Sequence, residues 1–476
     1  MAESSGEAKV YLRLVIDEEK NKVVLAEAGK DFVDVLFSFL TLPMGTIARL
    51  FKKHNNKAHP PVSVGCFNNL YTSVVDIGVD NFQTEACKRM LLCPRSVSDV
   101  QCQRLKVNIN PTEREKYFNC PLFSRCRLCS NFSTTRCQCG NMMKEEIRES
   151  QLKVEDSKQH GVFVSGGDST TFIITDDLEV SVKSTGLVLE RLKSLGCADV
   201  SKLGEKFVGI GPKEVLTLLQ CVFSSNAPLT ETFLNKGSAL HGLTRSYEPL
   251  RPCMEKKDEA EPEKVSAINA VVRKQDGKIL FVESGDDFVE LLLSFLAVQL
   301  ESVLEISGDS ITFGCLANLC RSFKGFRVVE ETKAAPADSK VGVLPCFYSF
   351  QVQLPGIITL EPPVYYRYMD SSGKNPYALT RDPNKITYYH NDKLVPVTLV
   401  DPKSDGNDHQ THCSGFLKKE TKFTVSDDLF ITPMSSCSTV CLLKKLQTNA
   451  EDVDVQEISI SKAEVRMYAC VVYPVI

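Results

Sequence analysis

The sequence predicts an α+β fold built as two homologous tandem domains. Three observations predict it. A hairpin-like alternation opens the chain and returns past its midpoint, and an apolar stripe of helical period follows each alternation. Strand and helix signals then intermix without the regular strand–helix alternation of a parallel sheet.

The elements follow in order. "KVYLRLVID" alternates, Glu-Glu-Lys-Asn-Lys makes a polar turn, and "VVLAEA" returns, which is a β-hairpin. In the later passage the turn is "KQDGK", whose Asp-Gly favours a tight hairpin. Phe32, Leu36, Phe39 and Leu40 then recur at helical spacing, with Asp31 placed to cap the first turn and Pro43 to mark the end. Further on, "STGLVLERLKSL" offers Ser184 as a cap and a stripe of Leu187, Leu189, Leu192 and Leu195; "SSCSTVCLLKKL" is its later counterpart. In "FVGIGPKEV" the glycines lack a Gly-Lys-Ser/Thr ending, so Pro212 marks a helix start rather than a phosphate loop.

The two passages are copies. "LAEAGKDFVDVLFSFL" at 25–40 and "FVESGDDFVELLLSFL" at 281–296 agree at nine of sixteen positions. "GCFNNL" at 65–70 is answered by "GCLANL" at 314–319, and "FIITDDLEVSVKS" from Phe172 by "FTVSDDLFITPMS" from Phe423. The order is kept, and chance similarity does not keep order. The expected division is a first repeat domain at 1–235, a Gly-, Pro- and charge-rich linker at 236–264, and a second repeat domain at 265–476. Each copy is long enough to bury a core.

Bulk composition narrows the function classes. Of 476 residues, 43% are hydrophobic and 24% charged, as in a globular protein, and the net charge of −4 provides no global basic field for nucleic acid or anionic lipid. No run approaches the roughly 18–20 apolar residues of a membrane span. The opening lacks the pattern of a secretory signal, so the nineteen cysteines are expected as reduced thiols in the cytoplasm or nucleus.

"LAEAGKDFVDVLFSFLTLPMGTIARL", the Y-F-x-C…C-x-C-G segment and the "DDL" strand together resemble a plant family known as domain of unknown function 674. The resemblance runs through nearly the whole chain. It implies a plant protein with a duplicated domain and supplies no activity or catalytic residues.

The chemistry concentrates in "YFNCPLFSRCRLCSNFSTTRCQCG", within a loop at 117–145. Zinc takes four tetrahedral ligands, commonly two close cysteine pairs from separate turns. Cys137 and Cys139 form one pair, and Gly140 relaxes the turn behind them. The family-like pattern suggests Cys120 with Cys126 as the other pair, with Cys129 as a substitute for Cys126. One structural zinc ion is the expected cofactor. Unligated thiols and a redox device are the alternatives, the latter disfavoured because the spacing is not C-x-x-C. The second copy has no cysteine in its corresponding region, so the loop is an elaboration of the first.

Other candidates are weaker. Asp176–Asp177 and Asp427–Asp428 suit turn chemistry better than a carboxylate site. The seven histidines, including His409 and His412 beside Cys413, show no repeating metal spacing. Arg127 and Arg136 lie among Phe118 and Phe132, but Glu145 and Glu146 flank them, which fits a solvated surface. The region from Tyr365 to Tyr389 carries six of the thirteen tyrosines, and Tyr366 and Tyr388 are its candidate interface residues. The expected function is non-catalytic binding of a protein partner, without nucleic acid or membrane. The alternatives are a nucleic-acid-associated zinc-knuckle protein and an enzyme of unrecognised type.

Overall fold

The opening alternation becomes a strand whose inward residues Val10, Leu12 and Leu14 are buried, while Tyr11 is 68% exposed on the outer face. The computed structural model describes residues 9–55, 65–96, 98–112, 116–122, 126–149, 161–164, 167, 169–197, 199–235, 265–307, 314–331, 364–369, 377–381, 394–400, 402–403 and 415–461. The first half supplies β1 (Val10–Asp17), β2 (Lys22–Gly29), β3 (Tyr117–Asn119), β4 (Leu128–Ser130), β5 (Glu145–Glu149), β6 (Thr171–Thr175), β7 (Val180–Val182) and β8 (Leu203–Ile210). The second supplies β9 (Val265–Arg273), β10 (Ile279–Ser284), β11 (Tyr365–Met369), β12 (Tyr377–Thr380), β13 (Val395–Leu399), β14 (Phe423–Ser426), β15 (Ile431–Pro433) and β16 (Val453–Ser461). Helices intermix with these strands, giving an α+β fold.

Two sheets have the same strand order, β7-β6-β2-β1-β8 and β15-β14-β10-β9-β16. In each, a glycine (Gly29 or Gly285) leads into a helix, Lys30–Ser38 or Asp286–Ser294, whose Phe32 or Phe288 is buried. No side chain caps either helix; Asp31 lies inside the first turn and pairs with Lys106 at 3.4 Å. The first helix stops at Ser38, and a 3-10 turn, Phe39–Thr41, fills the space before Pro43. Ser184 does cap the helix Thr185–Ser194, accepting from the Leu187 N–H at 3.2 Å, although Leu189 and Leu195 of its stripe are exposed. Pro212 opens the helix Pro212–Ser224.

The halves are cross-braced. The helix Cys66–Asp76 of the first half reaches β15 of the second: Asn69 donates from Nδ2 to the Asp428 carbonyl at 2.8 Å, and the Ile431 N–H donates to Ser73 Oγ at 2.8 Å. The helix Cys315–Glu331 makes the reverse connection. Asn318 donates to the Asp177 carbonyl at 3.0 Å, and the Val180 N–H donates to Ser322 Oγ at 3.0 Å. Gly65 and Gly314, one before each helix, both have φ of 55°, a conformation that favours glycine. Each "DDL" is the turn of a hairpin, with Leu178 and Leu429 held at φ of 63° and 58°. Asp177 accepts from Thr175 Oγ1, and Asp428 from Ser426 Oγ. Between the halves, Met44 N–H donates to Val298 O at 2.9 Å and Leu300 N–H to Leu42 O at 3.0 Å. One hydrophobic core draws on both halves: the Phe37 ring lies 5.1 Å from Phe323.

A buried carboxylate clasps a loop in each half. Asp34 accepts N–H bonds from Val162, Phe163 and Val164, and Glu290 accepts from Leu417 at 2.8 Å. Gly161 and Gly415 lie against these carboxylates; a Cβ on Gly415 would sit 1.7 Å from Glu290 Oε1, so any side chain there would displace the carboxylate. Burial pushes the Glu290 carboxyl up to about 7 from its ordinary 4.5, with the Leu417 N–H and Lys403 pulling it down and Asp286 and Asp287 adding to the rise. A carboxyl raised by folding stabilises below 4.5, and that contribution is lost as pH rises through about 7. Glu290→Gln removes the ionisation while keeping an acceptor. At pH 8 the variant should exceed the wild type in stability by up to about 3 kcal/mol, with most of the gain gone at pH 5. Thermal melts at both pH values check this; a difference independent of pH would contradict it.

The remaining six strands close a small barrel in the order β11-β12-β5-β3-β4-β13. Half its strands come from each side of the chain, joined by parallel pairing of β12 with β5 and of β13 with β4. Tyr117, Cys129, Ile147, Tyr365, Leu379 and Val397 fill it. Inside, Tyr117 and Tyr365 share a 2.9 Å hydroxyl–hydroxyl bond, and Arg381 donates to Glu149 at 2.9 Å, so the polar tips are satisfied.

Candidate metal centre

Two turns at one end of the barrel bring the cysteines together. Cys120 follows β3 directly and Cys126 lies two residues before β4. Cys137 and Cys139 sit on a tight turn: Cys137 N–H donates to Asn141 O at 2.8 Å, Gly140 N–H donates to Cys137 O at 2.8 Å, and Gly140 has φ of 83°. A residue at that φ is most cheaply glycine, which is why C-x-C-G suits the turn.

The sulfurs of Cys120, Cys126 and Cys137 all lie within 4.8 Å of one another, close enough to hold a metal ion. Cys139 Sγ lies 3.3 Å from Cys120 Sγ, and Cys126 Sγ 3.2 Å from Cys137 Sγ. Four sulfurs about 2.3 Å from a zinc ion stand about 3.8 Å apart in a regular tetrahedron. The mutually close set is Cys120, Cys126 and Cys137, and Cys139 adjoins it through Cys120. Donors aim at sulfur, among them the Leu122 N–H at 3.4 Å from Cys120 and Asn141 Nδ2 at 3.3 Å from Cys139. Such N–H···S bonds orient thiolate ligands. Cys120 and Cys137 are buried with Met143, while Cys139 faces solvent.

The thiols differ in acidity. Burial pushes Cys120 and Cys137 up to about 11. The Asn141 backbone N–H, helped by its side chain, brings Cys139 down to about 6. Cys129 stands apart. It lies in the barrel interior, its thiol donates to Thr398 O at 3.8 Å, and burial pushes it up to about 12.

The second half supports the centre in a way that spacing did not reveal. Arg367 donates to the Cys126 carbonyl at 3.3 Å, and Val400 packs beside Cys120 and Cys137. Of the two tyrosines singled out, Tyr366 is half-buried on β11, and Tyr388 lies outside the described residues, as do His409, His412 and Cys413. Tyr365 and Tyr368 are buried. Arg136 donates to Gly140 O at 3.3 Å, Lys116 pairs with Glu146 at 3.9 Å, and the Phe132 ring packs against the main core.

The model of the family described as Protein of unknown function (DUF674) matches residues 6–463. The chain belongs to this family. The DUF674 match spans both sheets, the barrel and the cysteine turns. No curated protein and no solved structure matches the chain. Among the described residues no helix is long and apolar enough to cross a membrane.

Proposed function

We propose that this chain is a non-catalytic protein-interaction protein carrying one structural zinc ion on Cys120, Cys126, Cys137 and Cys139. The observation that supports the metal is the convergence of the Cys120, Cys126 and Cys137 thiols from two turns, with the Cys139 sulfur beside that of Cys120 and N–H donors aimed at sulfur; Cys139 is proposed as the fourth ligand. The closed set of four thiolates leaves no position for substrate, which is the arrangement of a structural rather than a catalytic zinc. The equal strand order of the two sheets, and the mirrored Asn–"DDL" contacts, support a duplicated unit with repeats at 1–235 and 265–476. The protein works in a reducing compartment, the cytoplasm or nucleus, where free thiols persist.

Its binding partner is a protein, met by the tyrosine-bearing segment around the half-buried Tyr366. X-ray absorption at the zinc edge of the purified protein tests the metal: four sulfur neighbours at about 2.3 Å are expected. A nitrogen- or oxygen-rich shell, or no metal, would refute it.

A further inference from the structure

The cysteine turns do not end at their own half of the chain. Arg127 O accepts from the Thr398 N–H at 2.8 Å and Cys129 O from the Val400 N–H at 2.8 Å, so both sides of β4's first residue are fastened to β13. Cys126 O accepts from Arg367, a buried guanidinium on β11 that also lies over the Tyr377 ring at 5.5 Å. The strand β13 pairs in turn with β11, Tyr366 opposite Pro396 and Arg367 opposite Val395. A continuous path of backbone and charge-assisted bonds therefore leads from the thiols to Tyr366.

We propose that metal loading of the cysteine turns controls the order of β13 and β11, and hence whether the Tyr366 face is presented. This rests on the metal reading above. The physical reason is the size of the parts. A three-residue strand such as β4 cannot hold itself in a barrel, and the apolar cluster beneath the turns beside it is small, with Cys120, Cys137 and Met143 as its buried members among the described residues. A tetrahedral ion fixes both turns at once and so positions the carbonyls of Cys126, Arg127 and Cys129 as acceptors for the second half. When the ion leaves, those acceptors lose their anchor and the bonds from Arg367, Thr398 and Val400 weaken together. The two large sheets have their own core and do not depend on the ion. The metal is then a switch on the junction between the halves rather than a staple confined to one of them.

Hydrogen exchange of the full-length protein tests this. Samples are taken under reducing conditions as purified, after zinc removal by a chelator, and after zinc is restored. Amides at 364–369 and 394–400 should exchange at least about tenfold faster without zinc and recover on reloading, while 10–17 and 265–273 stay unchanged. If zinc leaves and 126–141 loosens but 364–369 and 394–400 keep their protection, the switch is refuted and the metal reading survives. A protein that neither carries nor takes up zinc refutes both. Equal loss of protection at 265–273 shows that the ion holds the whole fold, which also overturns the switch. Arg367→Gln should still bind one zinc yet exchange rapidly at 364–369 whether or not zinc is present; retention of the full metal response removes Arg367 from the path.

Discussion

Cys137→Ser should leave the protein without zinc after a competition with chelator that the wild type survives. Cys137 is buried, its sulfur is 3.2 Å from that of Cys126, and its backbone is held in the turn by Asn141. A serine hydroxyl fits the space but stays protonated at neutral pH and is a poor zinc ligand. Changing a residue that merely orients a ligand lowers metal affinity about 10–100-fold, so removing a ligand should cost more than about 100-fold. Structural zinc contributes on the order of 10–16 kcal/mol of apparent binding free energy, so the turns should also become the first protease-sensitive segment. Cys129→Ser is the contrast: its sulfur faces the barrel interior, so zinc should stay while stability falls. Elemental analysis of both variants decides it. Full zinc content in Cys137→Ser would remove Cys137 from the ligand set.

Phe323→Ala should cost about 3–5 kcal/mol, the usual range for a buried phenylalanine. Its ring is 2% exposed and belongs to the second half, but its neighbours include Phe37 at 5.1 Å and Phe163 at 5.8 Å, both from the first. Because one core serves both halves, the loss should be felt by both. Urea unfolding followed by exchange at β6 and at β14 should show a single transition that shifts equally at the two sites. Two transitions, with only the second-half strand shifting, would show that the halves are energetically separate.

Local residues determined much of this fold because short-range rules suffice for it. Alternation around Tyr11 and Leu12 makes β1, and the Phe32–Leu36 spacing makes a buried helix face. Ser184 accepts from an N–H within a turn of itself, and Pro212 starts a helix through its own fixed φ and missing N–H. The close spacing of Cys137, Cys139 and Gly140 likewise fixed a sulfur-bearing turn. Asp31 shows the limit even locally: it looked like a cap, but Gly29 takes that position and Asp31 pairs with Lys106. "GCFNNL" and "DDL" were visible as repeated words, but an asparagine's spacing says nothing about which half's carbonyl it will meet. The tertiary structure decided that Asn69 serves Asp428 and Asn318 serves Asp177. It also decided that the cysteine turns and the tyrosine strands form one barrel, where Cys129 meets Thr398 across 269 residues. Pairing at that distance depends on the burial of Tyr117, Tyr365 and Val397 together, and no single short strand records it.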